Sequence, residues 1–165
     1  MQNTTITKML EFDAGHRVLG HGGKCRFLHG HRYKAEITVE AWKLNELDMV
    51  IDFGDVKRLV GAWIDKHWDH NFICHPEDPL LDILVSDSAF AQLVSEASRK
   101  LNPQAERIFG AREPYIMPNG NPTAENMAAV LFKEADSMLR DNRINVLGVR
   151  LYETPTCFAE VLRSI

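Results

Sequence analysis

Several things are scarce in this sequence of 165 residues, and each scarcity closes off a class of protein. No apolar run approaches the roughly 18 residues that span a bilayer, so a membrane-spanning chain is not expected. The stretch Met1 to Glu11 carries no apolar block of the signal-peptide kind, which makes the cytoplasm the expected location. Cysteine is rare: Cys25, Cys74 and Cys157 are odd in number and irregularly spaced, which argues for reduced thiols over a disulfide framework. Charge of one sign is not in excess, since 19 Lys and Arg stand against 23 Asp and Glu. A net charge of -4 gives no footing for a nucleic-acid partner. Internal repeats, low-complexity tracts and linkers are also missing.

What remains is an ordinary globular composition, with 45% hydrophobic and 25% charged residues. The length suits one domain with its own core, over residues 1–165. Residues 5 to 16 alternate, with Ile6, Leu10, Phe12, Ala14 and His16 on one parity and Lys8 the single exception, the period of a half-buried strand. Gly20, Gly22 and Gly23 mark a turn. A second strand from about His29 to Trp42 puts Tyr33, Ala35, Ile37, Val39 and Ala41 on its apolar face, with His29 and His31 on the same parity. An antiparallel pairing of the two strands would gather three imidazoles inside, provided no bulge falls at Gly30.

Further along, Met49 to Phe53 is expected as a third strand. A helix with Asp52 or Asp55 as its N-cap follows, striped by Val56, Leu59, Val60, Trp63, Ile64 and His67. The stretch at about 72–120, broken by five prolines, is expected as a partly helical insertion packed on the core. Its one short helix runs over Phe90, Leu93, Val94, Ala97 and Leu101, capped by Ser88. Thr123 caps another helix with Met127, Val130, Leu131, Ala135, Met138 and Leu139 on its apolar side. Two strands end the chain, the first with Leu147, Val149, Leu151 and Glu153 on one parity. The expected fold class is α+β, a mainly antiparallel sheet with helices on one side.

The chemistry concentrates around Cys25-Arg26-Phe27-Leu28-His29-Gly30-His31. Three protein ligands with a fourth position open is the arrangement of catalytic zinc; three imidazoles also suit iron, copper or nickel. The plainer reading is a set of hydrogen-bonded core histidines. Cys25, between Lys24 and Arg26, is either a small hydrophobe or a reactive thiolate; Cys74 and Cys157 are expected to be structural. Asp69-His70 either terminates a helix or forms a general-base pair. His21, His67 and His75 read as surface or packing residues. Glu153, a carboxylate on an inward parity, needs a partner from protein or ligand. Arg17, Lys24, Arg26, Arg32 and Lys34 form either a solvated basic face or an attraction for an anionic substrate.

Five motifs then occur in order: Phe12-Asp13-Ala14-Gly15-His16, Cys25 to His31, Asp69-His70-Asn71, Asn121-Pro122-Thr123-Ala124-Glu125-Asn126, and Tyr152-Glu153-Thr154. Together they resemble the 6-pyruvoyl-tetrahydropterin synthase and 6-carboxy-tetrahydropterin synthase family, end to end apart from the 72–120 region. The resemblance implies a tunnelling fold (T-fold), an antiparallel four-stranded sheet with two helices on one face, in subunits that commonly assemble as a homo-hexamer. By position it makes His16, His29 and His31 zinc ligands, Cys25 the catalytic thiolate, and Asp69 with His70 its relay partners. Glu153 becomes the pterin anchor, with Thr123 and Glu125 nearby. Three residues between Cys25 and His29 resemble the bacterial queuosine-pathway branch, which makes 6-carboxy-5,6,7,8-tetrahydropterin from 7,8-dihydroneopterin triphosphate. The alternatives are a pyruvoyl-forming enzyme, a dihydroneopterin side-chain lyase, and a non-catalytic zinc- or pterin-binding module.

Overall fold

The computed structural model describes residues 3–84 and 113–164, with the isolated positions 96 and 100. Its frame is the hairpin that the alternation implies. Strand β1 (Thr4–His16) pairs antiparallel with β2 (His29–Ala41) without a break in register. Leu10, Phe12 and Ala14 of β1, with Tyr33, Ala35, Ile37, Val39 and Ala41 of β2, are buried, and the alternate residues of β1 stay wet. Lys8, out of pattern in the sequence, is only half-buried at its inward position.

Phe53–Val56 (α1), a π-helical turn over Lys57–Gly61 and Ala62–His67 (α2) run on as one rod. Asp52 is the N-cap, accepting from the Gly54 N–H at 2.6 Å. The expected strand over Met49 to Phe53 does not form, because the chain turns into this helix instead. Val56, Val60 and Ile64 bury the stripe against the sheet. After Trp68 come β3 (Asn71–Cys74), α3 (Leu81–Leu84), β4 (Tyr115–Ile116) and the long helix α4 (Ala124–Leu139), which buries Met127, Ala128, Leu131, Ala135 and Leu139. The helix proposed to begin at Ser88 lies outside the described residues.

Strands β5 (Ile144–Thr154) and β6 (Cys157–Leu162) complete a six-stranded sheet of order β4-β3-β1-β2-β5-β6. The expected four antiparallel strands are its centre and one flank; β3 joins β1 and β4 joins β3 in parallel. The ends of the 72–120 stretch are therefore part of the sheet, with Ile73 and Met117 fully buried. A shift of register opposite Thr38 and Val39 takes Leu147 off the inward face, and Val146 fills its place. No helix among the described residues is long and apolar enough to cross a membrane.

Candidate metal centre

Register alone assembles the centre. His16 stands directly opposite His29, and Ala14 opposite His31, so both strands aim their imidazoles at one spot. Gly15 faces Gly30 between them, and a Cβ on Gly30 would lie 2.9 Å from the Ala14 carbonyl oxygen. Glycine is what lets the strands close here. The ring centroids are 4.5 Å apart for His16 and His29, 5.2 Å for His16 and His31, and 5.0 Å for His29 and His31.

Hydrogen bonds set which nitrogen two of the three rings present. His16 Nδ1 lies 2.7 Å from the Pro122 carbonyl and His29 Nδ1 lies 2.8 Å from that of Phe27. A carbonyl only accepts, so Nδ1 carries the proton in both rings and Nε2 keeps its lone pair. His16 Nε2 and His31 Nε2 are buried without a hydrogen-bond partner among the described residues. Burial holds His16 and His31 below the usual imidazole range, and the neighbouring imidazoles add to it. Neutral, buried, convergent and unpartnered nitrogens fit a divalent cation of borderline softness. One ligand atom from each histidine lies within 4.8 Å of the others.

Glu153 reaches this spot. Its Oε1 lies 3.3 Å from His16 Nε2 and 3.5 Å from His31 Nε2, with its side chain 31% exposed. It is half-buried, not enclosed, because the β5–β6 register slips between Tyr152 and Thr154. The Tyr33 hydroxyl is another buried polar atom without a hydrogen-bond partner among the described residues, its ring 5.6 Å from that of His31.

Asp69 and His70 form the expected pair, with His70 Nδ1–H donating to Asp69 Oδ2 at 2.8 Å. Both are tied to β1: Asp69 Oδ1 accepts from the Asp13 N–H at 2.9 Å, and the His70 N–H donates to the Asp13 carbonyl at 2.6 Å. His70 takes φ of 53°, a left-handed conformation that turns its ring outward to solvent. An open cleft of about 680 Å³ brings His70 together with His29, His31, Asn71, Phe72 and Leu28. Cys25 sits exposed in a 3₁₀ turn (Lys24–Arg26) and is absent from the walls of that cleft.

Thr123 accepts from the Asn126 N–H at 3.4 Å as the N-cap of α4, and Glu125 is exposed in the first turn. The basic crowd is largely paired. Arg17 forks onto Asp78, Arg32 bonds Glu11 at 2.8 Å, and Lys34 lies 3.2 Å from Glu36. Cys74 is buried as expected, its thiol pushed up to about 12 by burial. Cys157 is not a buried structural residue: it is exposed at the start of β6, and the Thr154 and Thr156 hydroxyls lower its pKa. His21 and His75 each accept from a backbone N–H two residues on, and His67 packs on Trp63.

The sequence singles out the three histidines but not the carbonyls that orient His16 and His29. Phe27 and Pro122 carry no side-chain chemistry; only their places beside His29 and before Thr123 could have pointed to them.

The family model for 6-pyruvoyl tetrahydropterin synthase matches residues 5–164. The chain belongs to that family. Among relatives, a 6-carboxy-5,6,7,8-tetrahydropterin synthase of Rickettsia typhi is 42% identical over 156 residues, covering 94% of this chain and 97% of that protein. The enzyme of the same name from Haemophilus influenzae is 35% identical, with 94% and 96% covered. The crystal structure of an uncharacterized protein from Wolinella succinogenes matches with a TM-score of 0.77 at 24% identity, over 99% of this chain and 100% of that one. A 6-pyruvoyltetrahydropterin synthase of Plasmodium vivax gives 0.68 at 16%, over 100% of both. The T-fold is thereby established for this member of the synthase family.

Proposed function

We propose that this chain is a zinc-dependent 6-carboxy-5,6,7,8-tetrahydropterin synthase of the queuosine precursor pathway. It takes up 7,8-dihydroneopterin triphosphate and one water, and releases 6-carboxytetrahydropterin, acetaldehyde and triphosphate. The observation that carries the reading is the 42% identity, over 94% of the chain, to a synthase of that name, in a chain whose three histidines converge and whose His16 and His31 Nε2 atoms have no hydrogen-bond partner among the described residues.

His16, His29 and His31 would hold the ion, and the carbonyls that bind Nδ1 of His16 and His29 orient those two rings as ligands. When bound, zinc supplies a Lewis acid that acidifies C–H bonds beside the substrate's side-chain hydroxyls. Cys25 and His70 move protons at those carbons. The Asp69 carboxylate binds His70 through Nδ1–H, which leaves Nε2 as the atom that exchanges a proton. Glu153 accepts the ring N–H groups of the pterin and keeps the side chain in line, from a position already against the metal ligands. The resemblance puts Thr123 and Glu125 near the same pocket; Thr123 already serves as the N-cap of α4, which makes its part mainly structural.

The enzyme would work in the cytoplasm, which its three free cysteines suit. It would work as a homo-hexamer: β6 is an open edge with Phe158 and Leu162 exposed, and Phe27 and Leu28 stand out beside the cleft. Mass analysis of the pterin formed from dihydroneopterin triphosphate by the zinc-loaded protein is the test. A 6-carboxy product supports the reading; a 6-pyruvoyl or 6-hydroxymethyl product replaces it with another branch, and no turnover leaves a binding module.

A further inference from the structure

The reaction gives no task to Asn121, yet its side chain makes the most specific contact of the Asn-Pro-Thr motif. Oδ1 accepts from the Leu19 N–H at 2.7 Å while Nδ2 donates to the Leu19 carbonyl at 3.0 Å. One amide thus satisfies both backbone groups of a residue in the strap between β1 and β2, as a neighbouring strand would. The strap needs such an anchor. It contains Gly20, at φ of +80°, with Gly22 and Gly23, and every residue from Gly20 to Leu28 is exposed.

Two connections lead from that anchor to chemistry. The Val18 N–H, two residues beyond His16, donates to the Cys25 carbonyl, four residues before His29, at 2.8 Å. The Pro122 carbonyl, next in sequence to Asn121, orients His16. Asn121 is itself held, because its carbonyl accepts from Asn126 Nδ2 at 2.9 Å and from the Thr123 N–H at 2.9 Å. The start of α4 therefore grips the metal ligand with one carbonyl and the Cys25 strap with one side chain.

We propose that Asn121 is a positioning residue that fixes Cys25 relative to the three-histidine centre by clamping the backbone of Leu19. The role rests on the reading of Cys25 as a proton-moving group. Aspartate cannot replace it, having no donor for the Leu19 carbonyl, and glutamine is one methylene too long for the same fork. Displacement of a reacting group by about 1 Å is enough to cost on the order of 100-fold in rate.

The test uses Asn121→Ala and Asn121→Asp in full-length protein with Cys157→Ser as background, so that Cys25 is the exposed thiol among the described cysteines. Iodoacetamide alkylation of Cys25 followed by mass spectrometry, Co²⁺ affinity from its visible absorption, and kcat with KM are read together. Expected are a changed alkylation rate, by about threefold or more, and a kcat lower by about 10- to 100-fold. KM should move less than twofold or so, with the cobalt spectrum retained as proof of an intact centre. Leu19→Ala, which leaves the backbone clamp in place, should behave as the parent. Wild-type alkylation and wild-type kcat in either folded Asn121 variant overturn the proposal. If Cys25→Ala turns over normally, the reading of Cys25 fails instead, and the alkylation rates still decide whether Asn121 holds the strap.

Discussion

The two sets of groups proposed for catalysis stand on different kinds of backbone. His16, His29 and His31 are set in two strands whose register runs unbroken over thirteen residue pairs, and every neighbour along the ladder helps to fix them. Cys25 and the Asp69–His70 pair stand on turns, one in a glycine-rich strap and one at a left-handed residue after α2. Ligands that must converge on one ion are best placed by a sheet, where alternation and register leave no freedom. The groups proposed to move protons depend instead on a few tethers between elements, such as Asp13 to Asp69 and His70, and Asn121 to Leu19.

The largest effect should separate the two sets outright. His31→Ala should lose bound zinc, measured by elemental analysis, and turnover by about 10³-fold or more, as the loss of several kcal/mol of charge stabilisation implies. Retained stoichiometric zinc in that variant would break the centre as drawn. His70→Ala should keep full zinc content and lose about 10²- to 10³-fold in kcat. If zinc falls with it, the turn-borne pair is not independent of the sheet-borne one.

A smaller effect tests the register itself. Gly30→Ala places a Cβ 2.9 Å from the Ala14 carbonyl, a backbone atom that cannot swing aside. The strands should part locally, costing about 1–3 kcal/mol in urea unfolding and weakening cobalt binding. Unchanged cobalt affinity would show that the three ligands tolerate slack. Thr123→Ala should cost about 1 kcal/mol as a lost cap, with KM for the pterin unaltered. A raised KM at full stability would instead return Thr123 to the pocket.

The same contrast decides what could be read in the sequence. The hairpin, its inward histidines and the stripes of α2 and α4 obey periods of 2 and 3.6, and they appear where the pattern puts them. Asp69–His70 was legible as a pair because it is contiguous, but its tie to Asp13 crosses 56 residues and follows no period. The strand expected at Met49 failed since a short apolar run serves a loop entering a capped helix as well as it serves a strand. Strands β3 and β4 were hidden for a related reason: four and two residues are too few for alternation to show. The basic cluster stays open in the sequence between a solvated face and an anion site, because partners such as Asp78 for Arg17, 61 residues along the chain, follow no period.

That last pair gives the mildest prediction and concerns the residue next to the centre. Asp78 is 2% exposed, and its carboxylate receives the Arg17 guanidinium and the Leu80 N–H. Burial alone would raise its pKa, but these donors outweigh burial and hold the carboxyl below its usual range. A depressed folded value means the pair stabilises above the unfolded pKa, about 3.9, and that this stability drains away as pH falls through the folded value. Urea midpoints of wild type and Asp78→Asn should therefore differ at pH 7 and converge only below about pH 4. Arg17 follows His16 directly, so losing the pair should loosen the same strap that Asn121 holds while the histidine register survives. Convergence of the two curves already near pH 6 would assign the stability to a histidine rather than to Asp78.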